Sequence, residues 1–267
     1  MTQVLQITDT HIVAPGQRAN RVVDTGAALT AAVETIAAFQ SRIGKIDLVV
    51  FTGDLTDHGS QEEFTEFKRL IRPLDLSMIA VPGNHDNREN MRAAFKDMPW
   101  MPPHGPINIR VDLEDVTILA LDTLVDGAPY GALSQTTLEW LRKMLAETGE
   151  NSVLLAMHHP PFASGIALMD RQGLQNSEDL ASIIADCDST CRIIAGHLHR
   201  NVASLFAGHL TTVCPGTSHA VTLDLGPSPN NTLTMEPGGM QLHCFATENT
   251  THTLSVGIFN GPFDFVP

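Results

Sequence analysis

The chain has 267 residues, with 16 Lys and Arg against 30 Asp and Glu for a formal charge of −14, and 43% of it is hydrophobic. That composition excludes a disordered or fibrous chain and predicts a packed globular body, either one large α/β domain or two small ones. The acid excess argues against a surface that grips long phosphate backbones, since proteins that bind nucleic acid present a basic face to it. Histidine is over-supplied, with twelve copies against one Tyr and two Trp. Either many imidazoles are idle or some of them bind something.

In chain order, the start MTQVLQITDTH has no basic segment followed by an apolar one, and nowhere does a run approach about 20 apolar residues. The sequence therefore predicts a cytoplasmic protein without membrane insertion. Short runs of Val, Ile and Leu predict strands at Val4–Thr8, Asp47–Phe51, Met78–Val81, Val116–Leu121, Val153–Met157 and Arg192–Ala195. Helical patterns fall between them. Thr25–Gln40 follows a possible Asp24 cap, Ser60 and Glu63 have capping-box spacing ahead of a helix to about Ile71, and Ser134 can cap Gln135–Thr148. A further helix is predicted around Ser177–Ala185. Cys187 and Cys191 are spaced like helix neighbours and read as buried thiols, and none of the four cysteines forms a zinc-ribbon pair.

Beyond Gly196 the pattern turns to strands at Val202–Phe206, His209–Val213, Leu242–Ala246 and Thr251–Ile258. Gly226–Gly239 is linker-like but short enough to be a loop. With no repeat or charge block to mark a boundary, a single domain over 1–267 is expected, mostly β from about residue 200.

The polar residues of interest fall where strands end. Asp9 and His11 follow the first strand, Gly53-Asp54 the second, Gly83-Asn84-His85-Asp86 the third, His158-His159-Pro160-Pro161 a later one, and Gly196-His197-Leu198-His199 the last of the front half. Strand ends are where α/β sheets place their sites. Each piece alone reads as a tight turn or an Asx turn. Together they offer carboxylate, amide and imidazole ligands without a thiolate, a set that suits two borderline divalent ions such as Fe²⁺, Mn²⁺ or Zn²⁺.

The ordered set Asp9-Thr-His11, Gly53-Asp54-Leu-Thr-Asp57, Gly83-Asn84-His85-Asp86, His158 and Gly196-His197-Leu-His199 resembles the signature of the calcineurin-like metallophosphoesterases, over roughly Val4 to Pro215. The resemblance implies a four-layer αββα sandwich of two mixed sheets flanked by helices, with two metal ions at strand ends. By motif position, Asp9, His11 and His199 would hold one ion and Asn84, His158 and His197 the other, with Asp54 bridging them. It implies in-line hydrolysis by an acidified water, with Asp54 and Asn84 at the reacting centre and His85 stabilising the transition state or protonating the leaving alkoxide. His159 reads either as a support behind the ligands or as a structural histidine. Asp57 and Asp86 read as orienting partners or turn caps. His58, His104, His209, His243 and His252 receive no role.

Departures narrow the substrate. The loop after Asp54 lacks the arginine of protein Ser/Thr phosphatases, His85 stands where the superfamily's lipid A pathway pyrophosphohydrolases carry arginine, and the superfamily's nucleases would show a more basic surface. The remaining resemblance is to the bacterial small-molecule phosphodiesterases, the branch containing glycerophosphodiesterases and class III cyclic-nucleotide phosphodiesterases, which implies glycerophosphodiesters or 3′,5′-cyclic nucleotides as substrates. Met157–Pro161, Met169-Asp170 and Pro215-Gly216-Thr217-Ser218-His219 look like the glycerophosphodiesterase subgroup, which puts His219 beside the substrate, although a structural turn is the alternative. Asp122-Thr123 and the apolar Met98–Pro103 are expected either to line the pocket or to serve as turn and buried loop. Oligomers are common in that subgroup, so a homo-oligomer built partly by the C-terminal region is expected. A phospholipase C-type or monoester hydrolase on the same scaffold, and a non-catalytic scaffold, are the rival readings.

Overall fold

A computed structural model describes residues 1–149, 151–185, 191–226 and 230–265. The elements run β1 (Thr2–Ile7), α1 (Thr25–Ile43), β2 (Leu48–Thr52), α2 (Gln61–Ile71), β3 (Met78–Val81), α3 (Arg88–Ala94), β4 (Ile109–Asp112), β5 (Val116–Leu121), α4 (Gln135–Ala146) and β6 (Ser152–Met157). They continue as α5 (Ala167–Asp170), α6 (Ser177–Ile184), β7 (Cys191–Ala195), β8 (Val202–Phe206), β9 (His209–Val213), β10 (Ala220–Val221), β11 (Leu233–Thr234), β12 (Gly239–Phe245) and β13 (Thr250–Ser255). Helix starts follow local chemistry. Asp24, Ser60 and Ser134 accept from the backbone N–H three residues on, and Glu63 returns the bond to Ser60 in a full capping box.

Two mixed sheets result. One has the order β13-β12-β1-β2-β3 and the other β4-β5-β6-β7-β9-β8, with β10 and β11 forming a separate ribbon. Strands β1, β2 and β3 are mutually parallel, as are β5, β6 and β7, so each sheet points a block of C-terminal strand ends the same way. The period of two divides the second sheet between two cores. Ile118, Ala120, Leu154 and Ala156 pack into the core shared with the first sheet and with α1, α2 and α3, whereas Leu119, Leu121, Val153, Leu155 and Met157 pack with α4, α5 and α6. The helices thus flank the paired sheets, as the resemblance implies.

Local pattern misplaces some details. Cys191 is a buried residue of β7 rather than part of a helix, because its neighbours pair with β6; Cys187 lies outside the described residues. The strand expected at Leu242–Ala246 starts at Gly239 and joins the first sheet by antiparallel pairing to β1, a long-range contact that no local pattern encodes. Short α3, α5, β4, β10 and β11 carry too few residues for a periodic signal. Met98–Pro103 takes the loop alternative and does not line the cleft above the strand ends: Met98, Trp100 and Met101 pack against the main core, Phe95 and Trp100 rings lie 5.4 Å apart, and Met98 also borders a separate groove beside α2.

A buried polar seam lies between the sheets. Gln6 Nε2 donates to Thr52 Oγ1 (2.8 Å) and to the Ala195 carbonyl (2.9 Å), while His243 Nε2 donates to Gln6 Oε1 (3.2 Å) and Thr251 Oγ1 donates to His243 Nδ1 (2.9 Å). Burial, reinforced by the charge of Arg192, lowers His243 from its ordinary 6.5 to about 3. An unfolded chain takes up a proton near 6.5 that the folded chain refuses until about 3, so this stabilisation is present above 6.5 and lost as pH falls. In urea titrations of the metal-free protein, a His243→Gln variant is expected to be less stable at neutral pH but to lose less of its stability on acidification. An unchanged pH slope would refute this.

Candidate metal centre

The five strand ends named from sequence converge where the two sheets face each other. Asp9 and His11 follow β1, Asp54 and Asp57 follow β2, and Asn84 and His85 follow β3; His158 and His159 follow β6, and His197 and His199 follow β7. The turns that carry them are unusual. Asp9, His11, Asp54, His197 and His199 all have φ between 44° and 72°, in the left-handed region that side chains rarely occupy. Motif glycines meet a second demand. A Cβ on Gly53, itself at φ 91°, would stand 2.5 Å from His158 Nδ1, and one on Gly196 would stand 2.8 Å from Asp9 Oδ2.

The candidate ligand atoms form one cluster around Asp54. Its Oδ2 lies 3.5 Å from His11 Nε2 on one side and 3.3 Å from His158 Nε2 on the other, while its Oδ1 accepts the His85 backbone N–H at 2.9 Å. On the His11 side, His199 Nε2 is 3.1 Å from His11 Nε2 and 3.3 Å from Asp9 Oδ1. Asn84 Oδ1 lies 3.2 Å from His158 Nε2, and the His158 and His197 ring centroids are 5.1 Å apart. His11 donates from Nδ1 to Asp57 (3.0 Å) and His158 donates from Nδ1 to the Thr52 carbonyl (2.8 Å). Each ring therefore turns Nε2 into the cluster, the arrangement that metal-binding imidazoles adopt.

These residues fit two divalent cations. Asp9 and Asp54 are fully buried, and among the described residues their ion-pair partners are histidines, with no Arg or Lys. His197 Nε2 and His199 Nδ1 are buried without a hydrogen-bond partner. Asp9, His11, Asp54 and His199 form one set with ligand atoms within 4.8 Å of one another, and His158, His159 and His197 form a second. Without cations the electrostatics fall on protons. Burial alone would raise the Asp9 carboxyl, yet the neighbouring His199 brings it down to about 2. Burial alone would lower His158, yet Asp54 lifts it to about 9. A proton on His158 thus occupies the place of a positive charge.

Around this core, Asp86 accepts from the backbone of Leu55, Thr56 and Gly83, tying the loops after β2 and β3 together. His85 donates from Nδ1 to the Asp57 carbonyl (2.9 Å) and lines the cleft. Burial opposes its charge, but Asp54 and Asp57 raise it above the ordinary histidine value. His219 lies beside the His11 half of the cluster, its ring centroid 4.6 Å from that of His199 and its Nδ1 2.9 Å from Ser218 Oγ. Burial lowers it to about 3.

The cleft above the cluster encloses about 260 Å³ and is rimmed by Asn20, Gln172 and Asn231. A larger groove of about 790 Å³ lies elsewhere, between α2 and edge strand β3, remote from these groups. Sequence reading missed Arg88, which binds Asp122 through Nε (2.7 Å) and Nη2 (3.1 Å), and Arg200, which binds Glu236 at 2.7 Å. Their proximity in sequence to Asp86 and His199 was the available signal. Both guanidiniums are occupied by carboxylates, and Asp122 is consumed by Arg88 and by the backbone of Ile107 and Leu124 rather than facing the pocket.

Residues 2–201 match the calcineurin-like phosphoesterase family. The chain is 37% identical over 265 residues, 98% of its own length and 96% of the relative's, to a protein of Arcobacter nitrofigilis named as a probable glycerophosphodiester phosphodiesterase, GpdQ. It is 33% identical over 216 residues, covering 80% of this chain and 76% of the relative, to the 3′,5′-cyclic adenosine monophosphate phosphodiesterase CpdA of Escherichia coli K12. Among solved structures, a dimetal phosphatase from Danio rerio shares the fold, with a TM-score of 0.68 at 13% identity over 96% of this chain and 98% of that one. Sequence match, sheet architecture and ligand geometry agree, and the chain belongs to the calcineurin-like phosphoesterase family.

Proposed function

We propose that the protein is a binuclear-metal phosphodiesterase that hydrolyses small diesters, glycerophosphodiesters or 3′,5′-cyclic nucleotides. The observation that carries this reading is Asp54, whose Oδ2 stands between His11 and His158 at 3.5 and 3.3 Å. Asp9, His11 and His199 would hold one ion, Asn84, His158 and His197 the other, and Asp54 both; the oxygen and nitrogen donors suit Fe²⁺, Mn²⁺ or Zn²⁺. Bound there, two such ions supply Lewis acidity and an ionised water at neutral pH.

The chain's own residues do the rest. His11 and His158 are fixed by the acceptors on their Nδ1 atoms, so their rings need no reorientation to turn Nε2 toward the ions. His85, anchored through Nδ1 to Asp57, presents Nε2 as the atom that can pass a proton to a leaving alkoxide. Its raised pKa keeps more of it in the protonated form that this step requires. Asn84 and His219 are assigned to contact the phosphoryl group and the alcohol arm. Among the described residues the cleft lining includes no Lys or Arg, which suits a singly charged diester better than a monoester, and its size suits no long nucleic acid.

With paired aryl substrates, diester turnover is expected to exceed monoester turnover. In His85→Ala, kcat on the diester should fall about 10²- to 10⁴-fold with metal content unchanged. Faster monoester turnover would favour the rival phospholipase C-type or monoester reading, and full activity of the variant would remove His85 from the mechanism.

Because His158 holds a proton up to about 9 in the metal-free chain, loading the centre near neutral pH should expel it. Calorimetric titrations in buffers of different ionisation enthalpy should show proton release, and affinity should climb with pH toward about 9. Proton-neutral binding would contradict the assignment of His158.

We further propose a homo-oligomer in the cytoplasm. Ile258, Phe259, Phe263 and Phe265 are exposed within one short stretch of sequence, and self-association would cover them. Among the described residues, no helix is long and apolar enough to cross a membrane. Light scattering should give a mass that is a multiple of 28.9 kDa, and a monomer would refute the oligomer.

A further inference from the structure

Three carboxamides line the cleft above the metal centre and serve no purpose in holding the fold together. They are Asn20, Gln172 and Asn231, and among the described residues none of their side-chain amides has a hydrogen-bond partner within the protein. Each comes from a different segment. Asn20 sits in the tight turn between Ala19 and Val23, whose backbones bond each other in both directions at 3.0 and 2.9 Å; Gln172 follows α5, and Asn231 precedes β11. A carboxamide both donates and accepts, as a hydroxyl does, so each can meet an alcohol with a matched hydrogen bond.

The backbone beneath them is held in place. Val13, Ala19 and Val23 form a small buried cluster against which Leu233 packs, so the Asn20 turn and the β10–β11 ribbon make one wall. Arg200 Nη1 donates to the Val221 carbonyl (2.8 Å) and to Glu236 (2.7 Å), which staples both ends of the ribbon beside His199. On the other wall, Asp170 accepts from the backbone of Ser164 (2.7 Å) and Gly165 (3.0 Å), and the Gln172 N–H donates to the Met169 carbonyl (2.8 Å). Groups placed in advance on a fixed backbone cost less to order when a ligand arrives.

A nucleoside would find little here. Nucleobases are held by stacking on aromatic or guanidinium faces, and among the described residues the lining has no Phe, Tyr, Trp or Arg, only imidazoles. The cleft of about 260 Å³ must also admit the ions and the phosphoryl group, whereas pockets that enclose a drug-sized ligand run to about 300–1,000 Å³. A short polyol fits better, with its carbons against Met169, Val221 and Leu233. We infer that Asn20, Gln172 and Asn231 form a subsite that binds the alcohol arm through its hydroxyls, selecting a polyol of glycerol size over a nucleoside. The inference rests on the proposed diesterase reading and deepens it.

The test gives the metal-loaded full chain two diesters that differ only in their hydroxyls, glycerophosphoethanolamine and propyl phosphoethanolamine, with 3′,5′-cyclic adenosine monophosphate as a third substrate. By kcat/KM the glycerol diester should be preferred to the propyl diester about tenfold or more, and to the cyclic nucleotide as well. Asn20→Ala, Gln172→Ala and Asn231→Ala should each shrink the glycerol-to-propyl preference about three- to tenfold, as the loss of one neutral hydrogen bond does. Apart from turnover, the side-chain amide ¹⁵N signals of the three residues should shift with glycerol 3-phosphate far more than with propyl phosphate. Equal turnover of the two diesters, or a preference untouched in all three variants, would overturn the inference and leave the diesterase reading standing. Faster turnover of the cyclic nucleotide than of the glycerol diester would do the same. If no diester is hydrolysed, the inference and the reading beneath it both fall.

Discussion

The structure depends on two carboxylates buried without a permanent cation. Asp9 and Asp54 lie in the seam between the sheets, where an uncompensated charge costs several kcal/mol even after relaxation. Imidazoles surround them in place of arginine or lysine, and imidazoles neutralise a carboxylate only by taking up protons. Divalent ions compensate the same charge once they displace those protons. An acidic protein can therefore attract an anionic phosphoester: the positive centre is small, internal and shielded by a negative surface.

Holding such groups together demands backbone geometry that the chain would otherwise avoid. Five of the proposed ligands adopt left-handed φ, at a cost of about 1–3 kcal/mol each by general experience. Both sheets must then be rigid enough to enforce those turns. The seam of Gln6, Thr52, Thr251 and His243 contributes, because Thr52 both receives Gln6 at its hydroxyl and fixes His158 at its carbonyl. A hydrogen-bonded path thus runs from edge strand β13 to a proposed ligand. Asp86 serves the same end by binding the loops after β2 and β3 to each other.

Much of this was legible beforehand where a residue's role is local. Ser60 and Glu63 announce a helix start by spacing alone, and the buried strands announce themselves as unbroken Val, Ile and Leu runs. The motif residues were legible because each follows such a strand directly, and parallel strands in one sheet carry their C-terminal ends to the same side. Arg88 and Arg200 were missed because their partners, Asp122 and Glu236, lie more than thirty residues away and only folding brings them near. Met98–Pro103 reads equally as pocket wall or buried loop for the same reason: apolar side chains do not reveal which cavity or core they fill.

The sequence by itself determined the donor chemistry, the strand ends that carry it and the family, since these follow from residue types and spacing along one segment at a time. Only the tertiary structure decided that Asp54 stands between two imidazole sets, that β12 closes the first sheet against β1, and that Asn20, Gln172 and Asn231 line one cleft. Those outcomes are set by contacts between distant segments and by which ring nitrogen finds an acceptor. Neither is written in any stretch of chain short enough to be read alone.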